Sequence, residues 1–159
     1  MRTADGREDA AARLESLGLD AILIINVKSF VERRRHVEAQ LARFGLSGDF
    51  IHDFDADEIT TELDRRYFAG DELNRGQKSC ALKHVAALQR ISDRGWQRCL
   101  VLEDDVVLAD GFIEGVKAAL SETRSAPRPY VIYLGAGGNF YTPASQRQPG
   151  RRIYEASKG

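Results

Sequence analysis

The sequence predicts an α/β domain with a mainly parallel central sheet and flanking helices, and three observations carry that expectation. Unbroken apolar runs, Ala21-Ile22-Leu23-Ile24-Ile25, Cys99-Leu100-Val101-Leu102 and Tyr130-Val131-Ile132-Tyr133-Leu134, read as strands covered on both faces, the pattern of a parallel sheet. Stretches of helical periodicity alternate with the strand candidates. Three consecutive acids, Glu103-Asp104-Asp105, close one run at its carboxyl end, where open α/β sheets place their ligands.

Taken in order, residues 8–18 carry Ala10, Ala11, Leu14 and Leu17 at helical spacing, ended by Gly18. Residues 1–20 are expected to form an N-terminal helix or leader, and residues 21–159 the domain itself. The run Ala21–Ile25 is the first strand, with Asn26 at its carboxyl end. Val31, Val37, Leu41 and Phe44 then mark a helix over 31–44 that Gly45 stops. Phe50-Ile51-His52-Asp53-Phe54 reads as a second strand, and the polar stretch 55–76 as short helices and a loop around Tyr67-Phe68. Residues 78–93 form the next helix, whose apolar face is assigned to Ala81, Val85, Leu88 and Ile91. Cys80 and His84, four apart, share one side of it. The strand ending in the acids follows, then a helix from Phe112 to Leu120, the breakers Pro127 and Pro129, and a buried strand over 130–134 running into Gly135-Ala136-Gly137-Gly138. Arg151-Arg152-Ile153-Tyr154 reads as a short edge strand.

Bulk properties narrow the class. A chain of 159 residues with 43% hydrophobic and 30% charged residues fits a soluble globular domain. A net charge of −1 supplies no bulk field for nucleic acid or an anionic membrane, so no nucleic-acid partner is expected. Two cysteines, Cys80 and Cys99, without a Cys-x-x-Cys, fit a reducing compartment. No apolar run approaches the ~20 residues that span a bilayer, and residues 1–20 lack an apolar signal core. The expected location is cytoplasmic, with docking at the inner face of the cell membrane compatible with the sequence.

Four stretches recur together in one order: Ile24-Ile25-Asn26-Val27 with Glu32-Arg33-Arg34; Ser79-Cys80-Ala81-Leu82-Lys83-His84; Val101-Leu102-Glu103-Asp104-Asp105-Val106; and Ile132-Tyr133-Leu134-Gly135. On these the chain resembles glycosyltransferase family 25, the lipooligosaccharide galactosyltransferase-like family that includes collagen galactosyltransferases. The resemblance implies a GT-A-like nucleotide-sugar-binding domain that lacks a C-terminal acceptor half. It also implies transfer of a hexose, most often galactose from a UDP-sugar, to a saccharide or glycolipid acceptor in lipopolysaccharide or other surface-glycan synthesis. The acids then correspond to a DxD-like motif: Asp105 as metal ligand, Glu103 as donor contact and further metal ligand, Asp104 as a supporting or water-mediated ligand. Mn²⁺ or Mg²⁺ is the implied cofactor.

The residues themselves leave alternatives. The acids either grip a hard cation or form a solvated acidic turn. Asn26 either contacts the nucleotide or caps the next turn, and Arg33 and Arg34 either meet phosphate or lie on a solvated helix face. His84 is either a donor-side hydrogen-bonding group or base, or a core histidine beside Cys80, itself read as a small buried residue. Gly135 and the glycines after it would let backbone approach a donor closely. Tyr67 and Trp96 either stack on a base or sugar or serve as core or edge aromatics. Ser79, Lys83 and Gln77 depart from the family pattern, and no carboxylate base for the acceptor is assigned. A metal-dependent glycosyltransferase is the first function expected. A non-catalytic nucleotide-sugar binder or interaction protein, or a metal-dependent nucleotidyl or phosphoryl transferase, are the others. Self-association across an unpaired sheet edge is a further expectation.

Overall fold

A computed structural model describes residues 4–70, 72–127, 129–135, 145, 148–151 and 153–154. The elements run α1 (Ala4–Ser16), β1 (Ala21–Ile25), α2 (Val31–Ala42), β2 (Asp49–Ile51), α3 (Thr61–Tyr67), α4 (Arg75–Arg94), β3 (Cys99–Glu103) and α5 (Phe112–Glu122). This is a mixed α/β fold around a three-stranded parallel sheet of order β2-β1-β3. The chain divides into two compact units, Met1–Leu108 and Ala109–Gly159. The first holds the sheet and the acids; the second holds α5, whose buried stripe is Ile113, Val116 and Ala119.

β1 is the central strand, and all five of its side chains are buried. Each buried Ile or Leu contributes about 1.5–3 kcal/mol relative to exposure. Leu23 and Ile25 point to one face and pack with Ile51 of β2 and Ala87 of α4, with Ile91, Trp96 and Val101 around them. Ile22 and Ile24 are buried on the opposite face. Gly48 enters β2 where a Cβ would lie 2.9 Å from the Ile22 carbonyl oxygen, so the close approach of backbone there requires glycine.

Register explains how the rim is assembled. Ile25 pairs with Ile51 on one side and Glu103 on the other. These three residues end their strands in one row, and Asn26, His52 and Asp104 leave the sheet together.

α4 begins at a reciprocal cap. The Asn74 side chain accepts the Gln77 N–H at 3.0 Å, and the Gln77 side chain accepts the Asn74 N–H at 2.9 Å. Gln77, a departure from the family's acidic pattern, thus has a local structural task. Gly95 at φ +66° closes the helix.

Four expectations need correction. α4 buries Lys78, Ser79, Leu82, Lys83 and Ala87, whereas Val85 and Leu88 are exposed. The helix is rotated from its expected face because two lysines enter the interior with acidic partners. Tyr130–Leu134 forms no strand, and Val131 and Tyr133 are exposed. An apolar run becomes a strand only where a neighbour takes its backbone bonds, and it has no ladder partner among the described residues. Nor do Arg151, Ile153 and Tyr154 form an edge strand; the Ile153 N–H donates instead to the Glu122 carboxylate at 2.9 Å. The second strand is shorter than expected, because Phe54 adopts a left-handed φ of +63° that turns the chain away. Residues 136–138 and 152 lie outside the described residues. Among the described residues, no helix is long and apolar enough to cross a membrane.

Candidate functional site at the carboxyl rim of the sheet

A chain of polar contacts crosses the rim where the strands end. Asp104 is buried, and its Oδ2 accepts from Asn26 Nδ2 at 2.8 Å. Its Oδ1 accepts from Arg33 Nη1 at 3.1 Å, and the same nitrogen reaches Asp105 Oδ2 at 3.4 Å. An ionised carboxylate only accepts, so the amide nitrogen of Asn26 must face Asp104. Asn26 Oδ1 is thereby left to accept from His52 Nε2 at 3.1 Å, and the neutral His52 ring carries its proton on Nε2. His52–Asn26–Asp104–Arg33–Asp105 is one continuous network drawing on β1, β2, β3 and the start of α2.

The three acids therefore diverge. Asp104 turns inward as the keystone of the network. Asp105 stays exposed beside Arg33. Glu103, also exposed, faces α4, with Oε1 3.4 Å from His84 Nε2. Among the described residues, the group whose ligand atoms all lie within 4.8 Å of one another is Cys80, His84 and Glu103, not the acid triplet. α2 holds the backbone just beyond the acids. His36 Nε2 donates to the Val106 carbonyl at 2.9 Å, Gln40 Oε1 accepts the Leu108 N–H at 3.0 Å, and Arg43 donates to the Leu108 carbonyl at 3.1 Å.

Beside this network lies an open hollow of about 440 Å³ whose walls include Lys28, Phe50, His52, Phe54, Glu58 and Arg90. The Phe50 and His52 rings stack at 5.5 Å, and the Arg34 guanidinium sits 4.9 Å from the centre of the Phe50 ring. Arg34 also pairs with Glu38 at 3.6 Å. The two arginines thus separate, Arg33 toward the acids and Arg34 toward the wall of the hollow.

The floor of this region depends on pairings that sequence reasoning missed. Lys83 is 1% exposed. Its Nζ pairs with Asp55 Oδ1 at 2.7 Å and donates to the Asp53 carbonyl at 2.8 Å. One turn earlier on α4, Ser79 Oγ donates to the Phe54 carbonyl at 2.7 Å. The Lys28 N–H donates to Asp55 Oδ2 at 3.1 Å, and the Lys28 ammonium pairs with Glu58. These contacts hold Phe54 in a conformation disfavoured for a bulky side chain. Burial alone would raise the Asp55 carboxyl, but Lys83 and the Lys28 N–H hold it below the ordinary carboxylate value.

Three other sequence-predicted positions have these local surroundings. Gly135 belongs to the second unit, and a Cβ there would meet nothing within 4 Å, so no close backbone approach requires glycine. Trp96 borders the core cluster, and Tyr67 is exposed under the Arg66 guanidinium.

Burial, followed by the positive charges of Arg34 and Lys83, lowers the His52 pKa from its usual value. Between that lowered value and about 6.5 the unfolded chain binds more protons at this residue than the native one. Its contribution to stability is therefore complete above the unfolded value and is lost as pH falls through the window. His52→Gln keeps a donor for Asn26 and removes the titration. Urea unfolding of both proteins between pH 5 and 7 should show a shallower fall in stability for the variant; parallel curves would contradict the assignment.

Residues 19–146 match the family model described as glycosyltransferase family 25 (LPS biosynthesis protein). Among curated proteins, a glycosyltransferase 25 family member of Drosophila melanogaster is 27% identical over 130 residues, 75% of this chain and 21% of that protein. The human inactive glycosyltransferase 25 family member 3 is 24% identical over 135 residues, 77% of this chain and 23% of the relative. Mouse procollagen galactosyltransferase 2 is 23% identical over 133 residues, 76% of this chain and 21% of the relative. The chain thus spans about a fifth of the length of these relatives. No solved structure matches it.

Proposed function

The chain belongs to glycosyltransferase family 25, and from that premise we propose that its GT-A-like first unit binds a UDP-sugar through a divalent cation and transfers a hexose, galactose first among candidates, to a saccharide or glycolipid acceptor. One observation supports this above the others: the strand register collects Asn26, Arg33, Glu103, Asp104 and Asp105 at the carboxyl rim, beside a hollow with aromatic and cationic walls. The galactosyltransferase name of two relatives and the lipopolysaccharide role in the family's description favour galactose and surface-glycan synthesis.

The donor set fits Mn²⁺ or Mg²⁺. Glu103 and Asp105 offer exposed carboxylate oxygens, the ligands hard cations take; Glu103 would turn from His84 to join Asp105, and phosphate oxygens and water would fill the remaining positions. Bound there, the cation would neutralise charge developing on the leaving diphosphate. Asp104 has both oxygens engaged, so it is a positioning residue that aims Arg33 and orders Asn26. Arg33 adds a fixed positive charge beside Asp105, suited to a phosphate. The Phe50–His52 stack and Arg34 offer the hollow a surface for a planar base. His84 stands beside Glu103 at the rim, offered to the donor as a hydrogen-bonding group.

A second reading keeps the binding and drops the turnover. It is favoured by relatives named inactive. A thermal-shift panel of nucleotide sugars, with and without Mn²⁺, tests the shared claim. UDP-galactose should stabilise the protein only with the metal, by about 2.7 kcal/mol at a hundredfold excess over Kd; equal shifts without metal, or none, contradict it. Release of UDP or transfer to a glycan then marks the enzyme, and binding without either marks the non-catalytic module.

A further inference from the structure

We propose that Cys80 Sγ, the His84 imidazole and the Glu103 carboxylate form a binding site for a borderline transition-metal cation of the Zn²⁺ class, distinct in chemistry from the oxygen-ligand cation proposed for the donor. Cys80 and His84 stand one turn apart on the same side of α4, and β3 ends by delivering Glu103 opposite them. All three ligand atoms lie within 4.8 Å of one another, and the His84–Glu103 pair is already at 3.4 Å. Bonds of about 2.0–2.3 Å in a tetrahedral site place ligand atoms roughly 3.3–3.7 Å apart. The remaining contraction falls to side-chain rotation, to which the exposed Glu103 and the partly exposed His84 are least constrained.

The donor set decides the kind of metal. Thiolate and imidazole suit zinc and its neighbours, whereas Mg²⁺ and Mn²⁺ take carboxylate and phosphate oxygens. Three protein ligands leave a fourth position open to water or an incoming ligand oxygen.

The surrounding field acts in the same direction. The carboxylates of Glu103, Asp104 and Asp105 surround the Cys80 thiol with negative charge. That negative field attracts a divalent cation. Binding would release the thiol proton to solvent as the metal–sulfur bond forms. Glu103 is common to this site and to the proposed donor-cation pair, but Cys80 and His84 supply the specificity here whether or not the transferase reading holds.

Cobalt(II) titration of the reduced full chain, without nucleotide, provides the test. The expected result is one Co²⁺ per chain, with a thiolate-to-cobalt charge-transfer band that stoichiometric Zn²⁺ abolishes. Cys80→Ser should remove the band, His84→Ala should weaken binding at least ~10-fold, and Cys99→Ser should change neither. His84 is partly exposed, so its variant remains informative if Cys80→Ser folds poorly. No band at saturating Co²⁺, a band that survives in Cys80→Ser, one lost in Cys99→Ser, or unchanged affinity in His84→Ala would each overturn the proposal.

Discussion

Lys83→Met should destabilise the protein by about 3–5 kcal/mol at neutral pH, the cost of leaving one member of a buried ion pair without its partner. The side chains of Lys83 and Asp55 are 1% and 10% exposed, with nitrogen and oxygen 2.7 Å apart. Methionine fills a similar volume, so packing loss contributes little, and the effect isolates the charge. The variant strands the Asp55 carboxylate with only the Lys28 N–H, and it frees the Asp53 carbonyl. With its cation gone, desolvation raises the Asp55 pKa, so the deficit should shrink as pH falls and the carboxyl protonates. Lys83→Met with Asp55→Asn should recover part of the loss, because no buried charge then remains unpaired. Urea unfolding at pH 7 and pH 5 measures all three effects. For a domain whose whole stability lies in the range of about 5–15 kcal/mol, a loss under about 1 kcal/mol would show that water reaches the pair and that the loop over 53–55 is held by other contacts.

Asp105→Ala should abolish Mn²⁺-dependent UDP binding, with at least a ~100-fold loss of affinity, and leave the fold unchanged. The two halves of that expectation come from one geometric fact. Asp105 is exposed beside Arg33 and supports no buried group, so its removal leaves the rim network from His52 to Arg33 in place. In a productive enzyme the loss should fall on kcat as well as on donor affinity, because charge on the leaving diphosphate is greatest in the transition state. Asp104→Ala should behave differently. It removes the acceptor of both Asn26 and Arg33, and so disturbs stability together with binding.

The parts of this architecture legible in the sequence are those that depend on local pattern. Ala21–Ile25 is an uninterrupted β-prone run because it is buried on both faces, and the acid triplet sits at a strand end because β3 does end there. The family resemblance rests on those same stretches. What local pattern hides is pairing between distant residues. The apolar periodicity of α4 pointed to Val85 and Leu88, yet the helix turns Lys78 and Lys83 inward, since Asp64 and Asp55 lie ready to pair with them. The divergence of the three acids was equally hidden. It follows from the parallel register that sets Asn26 against Asp104, and from Arg33 reaching across from α2. His52 reads as an ordinary strand residue until that register sets it beside Asn26. The run Tyr130–Leu134 carries the opposite lesson: high β-propensity without a pairing edge does not make a strand.

Calorimetric titration of UDP into the wild-type chain and Asp105→Ala, each with Mn²⁺ and with a chelator, tests most directly whether the carboxyl rim is a metal-dependent nucleotide site. Saturable binding in the wild type with Mn²⁺, lost on chelation and lost in the variant, is the predicted result. Equal affinity in the two proteins, or binding that persists in chelator, would contradict it.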